Sequence, residues 1–142
     1  MITQEDFIIQ AEAELVDAGF IPLKTAVQVD HHFQDHQGIT LLVVNSMCGC
    51  AGSGARMGAI EALHASGGFL KVDCAVTVFP GVDEEATEAL QGYLQPYPLS
   101  SPMIAIIQDG AVVHCLERHQ IKGYPVAEIA EAVQHGIALT TA

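Results

Sequence analysis

Apolar residues recur at helical spacing at Phe7, Ile8, Ala11, Leu15 and Val16, and Gly19 suits the end of that helix. Phe20 to Leu23 reads as a short strand. Thr25 can cap a second helix to about His36, with Val27 and Phe33 inward and Gly38 ending it. Ile39 to Val44 is a continuous apolar run, as in a buried strand. A helix over Ala51 to Ser66 follows, with Met57, Ile60 and Leu63 inward and Gly67-Gly68 breaking it. Val72 to Phe79 is rich in β-branched residues and reads as a strand closed by the turn Pro80-Gly81. Asp83 to Gln95 is an acidic amphipathic helix with Ala86, Leu90 and Tyr93-Leu94 inward. After a proline-rich loop, Met103 to Ile107 and Ala111 to Leu116 form a hairpin around Asp109-Gly110. Pro125 to Ile137 is a closing helix, its inward face Val126, Ile129, Ala130 and Val133.

From Phe20 onward the order is strand, helix, strand, helix, strand, helix, strand, strand, helix. Helical crossovers give parallel strands, and the last hairpin adds an antiparallel edge. This is the order of the thioredoxin fold: an α/β class, with a central mixed β-sheet flanked by helices and an extra N-terminal helix. No repeat, low-complexity segment or linker divides residues 1–142, so a single domain is expected.

Composition narrows the function. Only 15% of the residues are charged and half are hydrophobic, a globular composition. The formal net charge is −12, carried against three lysines and two arginines, which argues against nucleic-acid or anionic-membrane partners. No stretch has the length and apolarity of a transmembrane helix. The acidic start, Met1-Ile2-Thr3-Gln4-Glu5-Asp6, is unlike a secretory signal, so a reducing cytoplasmic setting is expected.

In that setting a paired cysteine motif points to catalysis rather than structure. Cys48-Gly49-Cys50 falls where the apolar strand hands over to a helix N-terminus. The free N–H groups and partial positive charge there favour a thiolate, which is the nucleophile of thiol–disulfide exchange. The alternative is a structural or metal-binding pair. Cys74 and Cys115, inside expected strands, are poor further ligands and read as inert core thiols. His31-His32 and His36 can place two imidazoles one helical turn apart, but no carboxylate motif accompanies them, and a solvated helix face is the simpler reading. Gly52-Ser53-Gly54 and Gly58 have a spacing one residue too long for a dinucleotide fingerprint. Those glycines are better read as letting a partner approach the helix closely.

Four stretches resemble one family, the bacilliredoxins. They are Asn45-Ser46-Met47-Cys48-Gly49-Cys50-Ala51 with Gly54-Ala55-Arg56, Val76-Thr77-Val78-Phe79-Pro80-Gly81, Tyr97-Pro98-Leu99-Ser100-Ser101-Pro102, and Arg118-His119-Gln120-Ile121-Lys122-Gly123. The likeness spans nearly the whole chain in order. It implies a thioredoxin-like protein that removes bacillithiol from mixed disulfides on cytosolic proteins, with disulfide isomerase-like activity also associated with the family. The partners it implies are bacillithiol and S-bacillithiolated proteins, and no cofactor is called for. Some family members carry a further C-terminal cysteine; this chain ends Leu139-Thr140-Thr141-Ala142.

On that resemblance Cys48 is the attacking thiol and Cys50, better shielded in the first turn, resolves the mixed disulfide. Ser101-Pro102 stands where thioredoxin-like proteins carry a cis-proline facing the cysteines, so that the backbone of Ser101 can pair with a substrate segment. Arg56 and Arg118 are candidate readers of the malate carboxylates of bacillithiol, an arginine fork suiting a carboxylate. The plainer reading is that each pairs with an acidic side chain of the protein. Two alternatives stand beside this function: a general protein disulfide isomerase or reductase, and a metal or iron–sulfur binding carrier.

Overall fold

A computed structural model describes residues 3–35, 38–47, 49–64 and 72–140. Its elements are α1 (Gln4–Asp17), β1 (Ile21–Pro22), α2 (Ala26–Asp35), β2 (Ile39–Val44), α3 (Gly49–His64), β3 (Cys74–Val78), α4 (Glu84–Tyr93), β4 (Met103–Gln108), β5 (Ala111–Leu116), α5 (Arg118–Ile121) and α6 (Val126–Ala138). The expected break at Gly67-Gly68 lies outside the described residues.

The five strands form one sheet in the order β1-β3-β2-β4-β5. β1 and β2 both run parallel to β3. The strand running against the others is β4, inside the sheet, and not the edge strand β5. The loop before β4 therefore starts it level with the end of β2: Met103 pairs with Val44 and Gln108 with Ile39. Asp109 and Gly110 then take positive φ, 51° and 85°, and close the hairpin to β5.

β2 lies at the centre and is buried along its whole length. Ile39, Leu41 and Val43 pack with Leu15 of α1, the alanines of α3, Ile121 of α5 and Ile129 and Val133 of α6. Leu42 and Val44 face Val29 and Phe33 of α2 and Ala86 and Leu90 of α4. Alternation along one strand thus feeds two cores, and the result is three layers.

The helix faces depart from the expected ones. Met57 is 43% exposed; the buried side of α3 is Ala51, Ala55, Ala59 and Ala62, with Gly52, Gly58 and Arg56. Small side chains are turned in because α6 approaches closely. A Cβ on Gly58 would lie 2.8 Å from Ile129 Cβ, and one on Gly54 3.3 Å from Ile129 Cδ1. The partner that these glycines admit is the protein's own last helix. Val27 is 74% exposed, its expected place taken by Val29, and Val126 is exposed while Ile137 joins the core.

Gly58→Ala is expected to cost about 1–3 kcal/mol through overpacking, although alanine is the better helix former by about 1 kcal/mol. The check is a lower midpoint of urea unfolding at unchanged slope, partly recovered when Ile129→Ala is added to make room.

Candidate active site

β2 and β3 end, β4 begins and β5 ends at one edge of the sheet, since Val44 is level with both Val78 and Met103, and Ile104 with Leu116. That register gathers four loops that are far apart in sequence. They are the Asn45–Met47 segment leading to α3, the Phe79–Gly81 turn, the Leu99–Pro102 approach to β4, and the start of α5 after β5. Ligand sites of open α/β sheets form at the carboxyl ends of such parallel strands.

Asn45 joins these segments from inside. It is fully buried. Its Nδ2 donates to the Ala11 carbonyl of α1 at 3.1 Å, and its Oδ1 accepts from the Ser46 amide at 2.9 Å and from Arg56 Nη1 at 3.0 Å. Its backbone N–H donates to Val78 O at 2.8 Å, and its carbonyl accepts from Ser101 Oγ at 2.9 Å. One residue thus ties α1, β3, α3 and the loop before β4 to the end of β2.

α3 starts two residues earlier than its apolar pattern predicts, so Cys50 sits in the first turn. Cys48 lies outside the described residues. Cys50 is exposed and free, and the expected contrast with a less shielded Cys48 falls outside the described residues. The turn's inward positions go to Ala51 and Gly52, and Cys50 is left to the solvent side. Gly52 is required here: a Cβ would fall 2.9 Å from the Ser46 carbonyl and 3.2 Å from Arg56 Nη1.

The Ser101–Pro102 peptide is cis, with Pro102 buried beside the start of β4. Arg118, the first residue of α5, reaches this loop. Its Nη1 donates to the Ser101 carbonyl at 2.9 Å, and its backbone N–H donates to Ser100 Oγ at 3.3 Å. Arg118 therefore stands at the site, half-buried. Its short helix is held by the Glu117 amide donating to Gln120 Oε1 at 3.0 Å. No apolar periodicity announces four residues, so α5 is absent from the sequence reading.

Arg56 is placed differently. It is 3% exposed. Nε donates to Glu14 Oε1 at 3.2 Å, Nη1 also reaches the Ser46 carbonyl at 3.3 Å, and the guanidinium carbon lies 5.9 Å from the centre of the Phe7 ring. A guanidinium buried against protein acceptors is badly placed to meet a carboxylate arriving from solvent, and it holds the ion pair of the plainer reading. Asn45 and Glu14 were missed as partners. The available signal was a lone cation four residues after Gly52 on a face of alanines.

Two further thiols lie within strands β3 and β5, and two imidazoles lie on α2. Burial raises the Cys74 thiol above its ordinary value of 9.0, and burial with nearby Glu117 pushes Cys115 up to about 12. His31 pairs with Asp35 at 2.8 Å and His32 with Thr40 Oγ1 at 3.1 Å, while His36 lies outside the described residues. Among the described residues no group of His, Cys, Asp or Glu is arranged to hold a metal ion, and no helix is long and apolar enough to cross a membrane.

Known proteins match this chain along nearly its whole length. A family model described as disulphide isomerase matches residues 3–138. A bacilliredoxin of Staphylococcus haemolyticus is 44% identical over 126 residues, covering 88% of this chain and 83% of the relative. The chain belongs to the bacilliredoxin family. A bacilliredoxin of Bacillus cereus is 40% identical over 129 residues, covering 91% of this chain and 87% of the relative. A solved structure described as a putative oxidoreductase with a thioredoxin fold superposes with a TM-score of 0.62 at 12% identity, covering 82% of this chain and 96% of that one. That likeness shows the thioredoxin fold, and the bacilliredoxin family makes the chain a redox protein of that fold.

In the native protein at pH 8, iodoacetamide is expected to label Cys50 and to spare Cys74 and Cys115, both held as neutral thiols. Peptide mass spectrometry before and after unfolding checks this. Native labelling of Cys115 at a rate equal to that of Cys50 would contradict it.

Proposed function

We propose that this bacilliredoxin-family protein removes bacillithiol from S-bacillithiolated proteins through Cys48 and Cys50. The observation that supports this best is the exposed Cys50 in the first turn of α3, at the edge where all four family-like segments converge. The Cys48 thiolate attacks the bacillithiol sulfur of the mixed disulfide. The protein thiolate leaves and takes up a proton, and Cys48 carries the bacillithiol. Cys50, as thiolate, then attacks the Cys48 sulfur, bacillithiol leaves, and a Cys48–Cys50 disulfide remains. Two electrons have passed from the dithiol to the mixed disulfide, and an external thiol reductant returns them. The setting is a reducing cytosol, where bacillithiol would be held reduced.

Ser101 and Pro102 form the wall beside this centre, and Arg118 is its cation. With Nη1 on the Ser101 carbonyl, the Arg118 fork is oriented by the loop it binds, which suits it to receive a malate carboxylate at the loop's rim. The name of the matching family model supports a second reading, disulfide isomerisation, in which a protein disulfide takes the place of the mixed disulfide.

The test is mass spectrometry of Cys50→Ala mixed with a bacillithiolated protein, beside a glutathionylated control. The expected result is an adduct of bacillithiol mass on Cys48 with release of the substrate thiol, and Arg118→Ala should slow its formation about tenfold while changing the glutathione control less. Equal transfer from both substrates would overturn the thiol preference. Transfer from neither, with rapid reduction of a protein disulfide, would favour isomerisation.

A further inference from the structure

Arg118 holds a backbone group that an incoming chain would need. The sheet pairing of β4 starts at Met103, so the carbonyls of the loop before it lack strand partners. A carbonyl so placed accepts from water, from a side chain or from the N–H of an added strand. At Ser101 the donor is Arg118 Nη1, at 2.9 Å. That bond is charge-assisted, roughly twice as strong as the neutral bond a peptide N–H would offer in its place. The rest of the loop is engaged as well. Ser101 Oγ donates to the Asn45 carbonyl at 2.9 Å. Ser100 Oγ accepts from the Arg118 amide at 3.3 Å and donates to the Pro102 carbonyl at 3.2 Å. Pro102 has no N–H to offer. The loop therefore presents a cation where it would otherwise present a peptide acceptor. We propose that Arg118 is a specificity-determining residue: it closes the Ser101 carbonyl to an added peptide strand, and so favours disulfides with a small anionic thiol beside the loop over disulfides between two peptide chains.

This inference rests on the reading of Cys48 and Cys50 as the exchanging pair. It deepens that reading by naming what the loop beside the pair selects. The other described cations are placed elsewhere. Arg56 is buried against Asn45, Ser46 and Glu14. Lys24 lies between Glu12 at 2.7 Å and Asp83 at 3.7 Å. Lys122 stands at the far end of α5. The chain carries a formal net charge of −12, so an anionic ligand is repelled over most of the surface and a cation at this edge counts for more. One contact thus does two things: it orients the guanidinium toward an anion, and it removes an acceptor from the reach of a peptide.

The probe is a short extended peptide with a single cysteine, used as its symmetric disulfide, beside the same peptide N-methylated at the amides flanking the cysteine. In the assay the dithiol gives two electrons and two protons to the peptide disulfide, leaving two peptide thiols and the Cys48–Cys50 disulfide. The readout is the ratio of the two rates, parent over methylated, which a general loss of activity does not move. In the wild type the ratio is expected within about twofold of one, because the carbonyl is taken. In Arg118→Met it should rise to about threefold to tenfold, as a peptide N–H gains the freed acceptor. Equal ratios in the wild type and folded Arg118→Met would overturn the proposal. Should Arg118→Met fail to fold, Arg118→Gln carries the same comparison, and a wild-type ratio of about threefold or more contradicts the proposal without any variant. The failures separate. A wild type that exchanges with neither a bacillithiolated protein nor the peptide disulfide counts against the function, and this inference falls with it. Exchange with unmoved ratios counts against Arg118 alone.

Discussion

The buried side chain of Asn45 is the interaction on which the site depends. An amide out of reach of water must find its partners within the protein, and leaving one unmatched costs about 1–3 kcal/mol. Here the partners come from α1, from α3 and from the residue next in the chain, while the Asn45 backbone serves β3 and the loop before β4. The requirement to satisfy one amide thereby fixes the relative position of four elements. Gly52 follows from the same constraint, since the space a side chain would need is filled by the Ser46 carbonyl and Arg56.

Topology supplies the rest. Because β4 runs against its neighbour, the Ser101–Pro102 loop arrives at the edge where β2 and β3 finish, and β5 returns there to deliver Arg118. The four segments that resemble the bacilliredoxins are therefore one place in space. Their likeness is explained by what they contact: Asn45 takes Ser101 Oγ, the Arg118 guanidinium takes the Ser101 carbonyl, and Met47 lies against the turn at Gly81. Away from that edge the packing is conventional. Alternation on β2 divides the two cores, and α3 reaches α6 through Gly54 and Gly58.

The strands were legible because their signals are local. The runs Ile39–Val44 and Ala111–Leu116 and the Asp109-Gly110 turn need no distant partner to be recognised. Helix faces were less so. Met57, the larger side chain, is the inward one by apolar spacing, yet close approach of α6 selects alanine and glycine. The direction of β4 was hidden because it depends on where a loop returns, which periodicity does not encode. Residue type and resemblance drew attention to Cys50, Pro102 and Arg118, and the fold sets all three at one edge of the sheet. The inward turn of Arg56 could not be picked out, because its cause is a hydrogen-bonding demand at Asn45 and a carboxylate 42 residues away on α1.

The central claim is that the Asn45 network holds the proposed exchange site in its working geometry. The most direct measurement compares Asn45→Ala with Leu90→Ala, a change in the opposite core that loses comparable stability. Both are assayed for turnover of a bacillithiolated protein at a temperature where each is more than nine-tenths folded. Turnover is expected to fall at least tenfold in Asn45→Ala and to stay near wild type in Leu90→Ala. Equal turnover in the two variants would contradict the claim and reduce Asn45 to a contributor to stability alone.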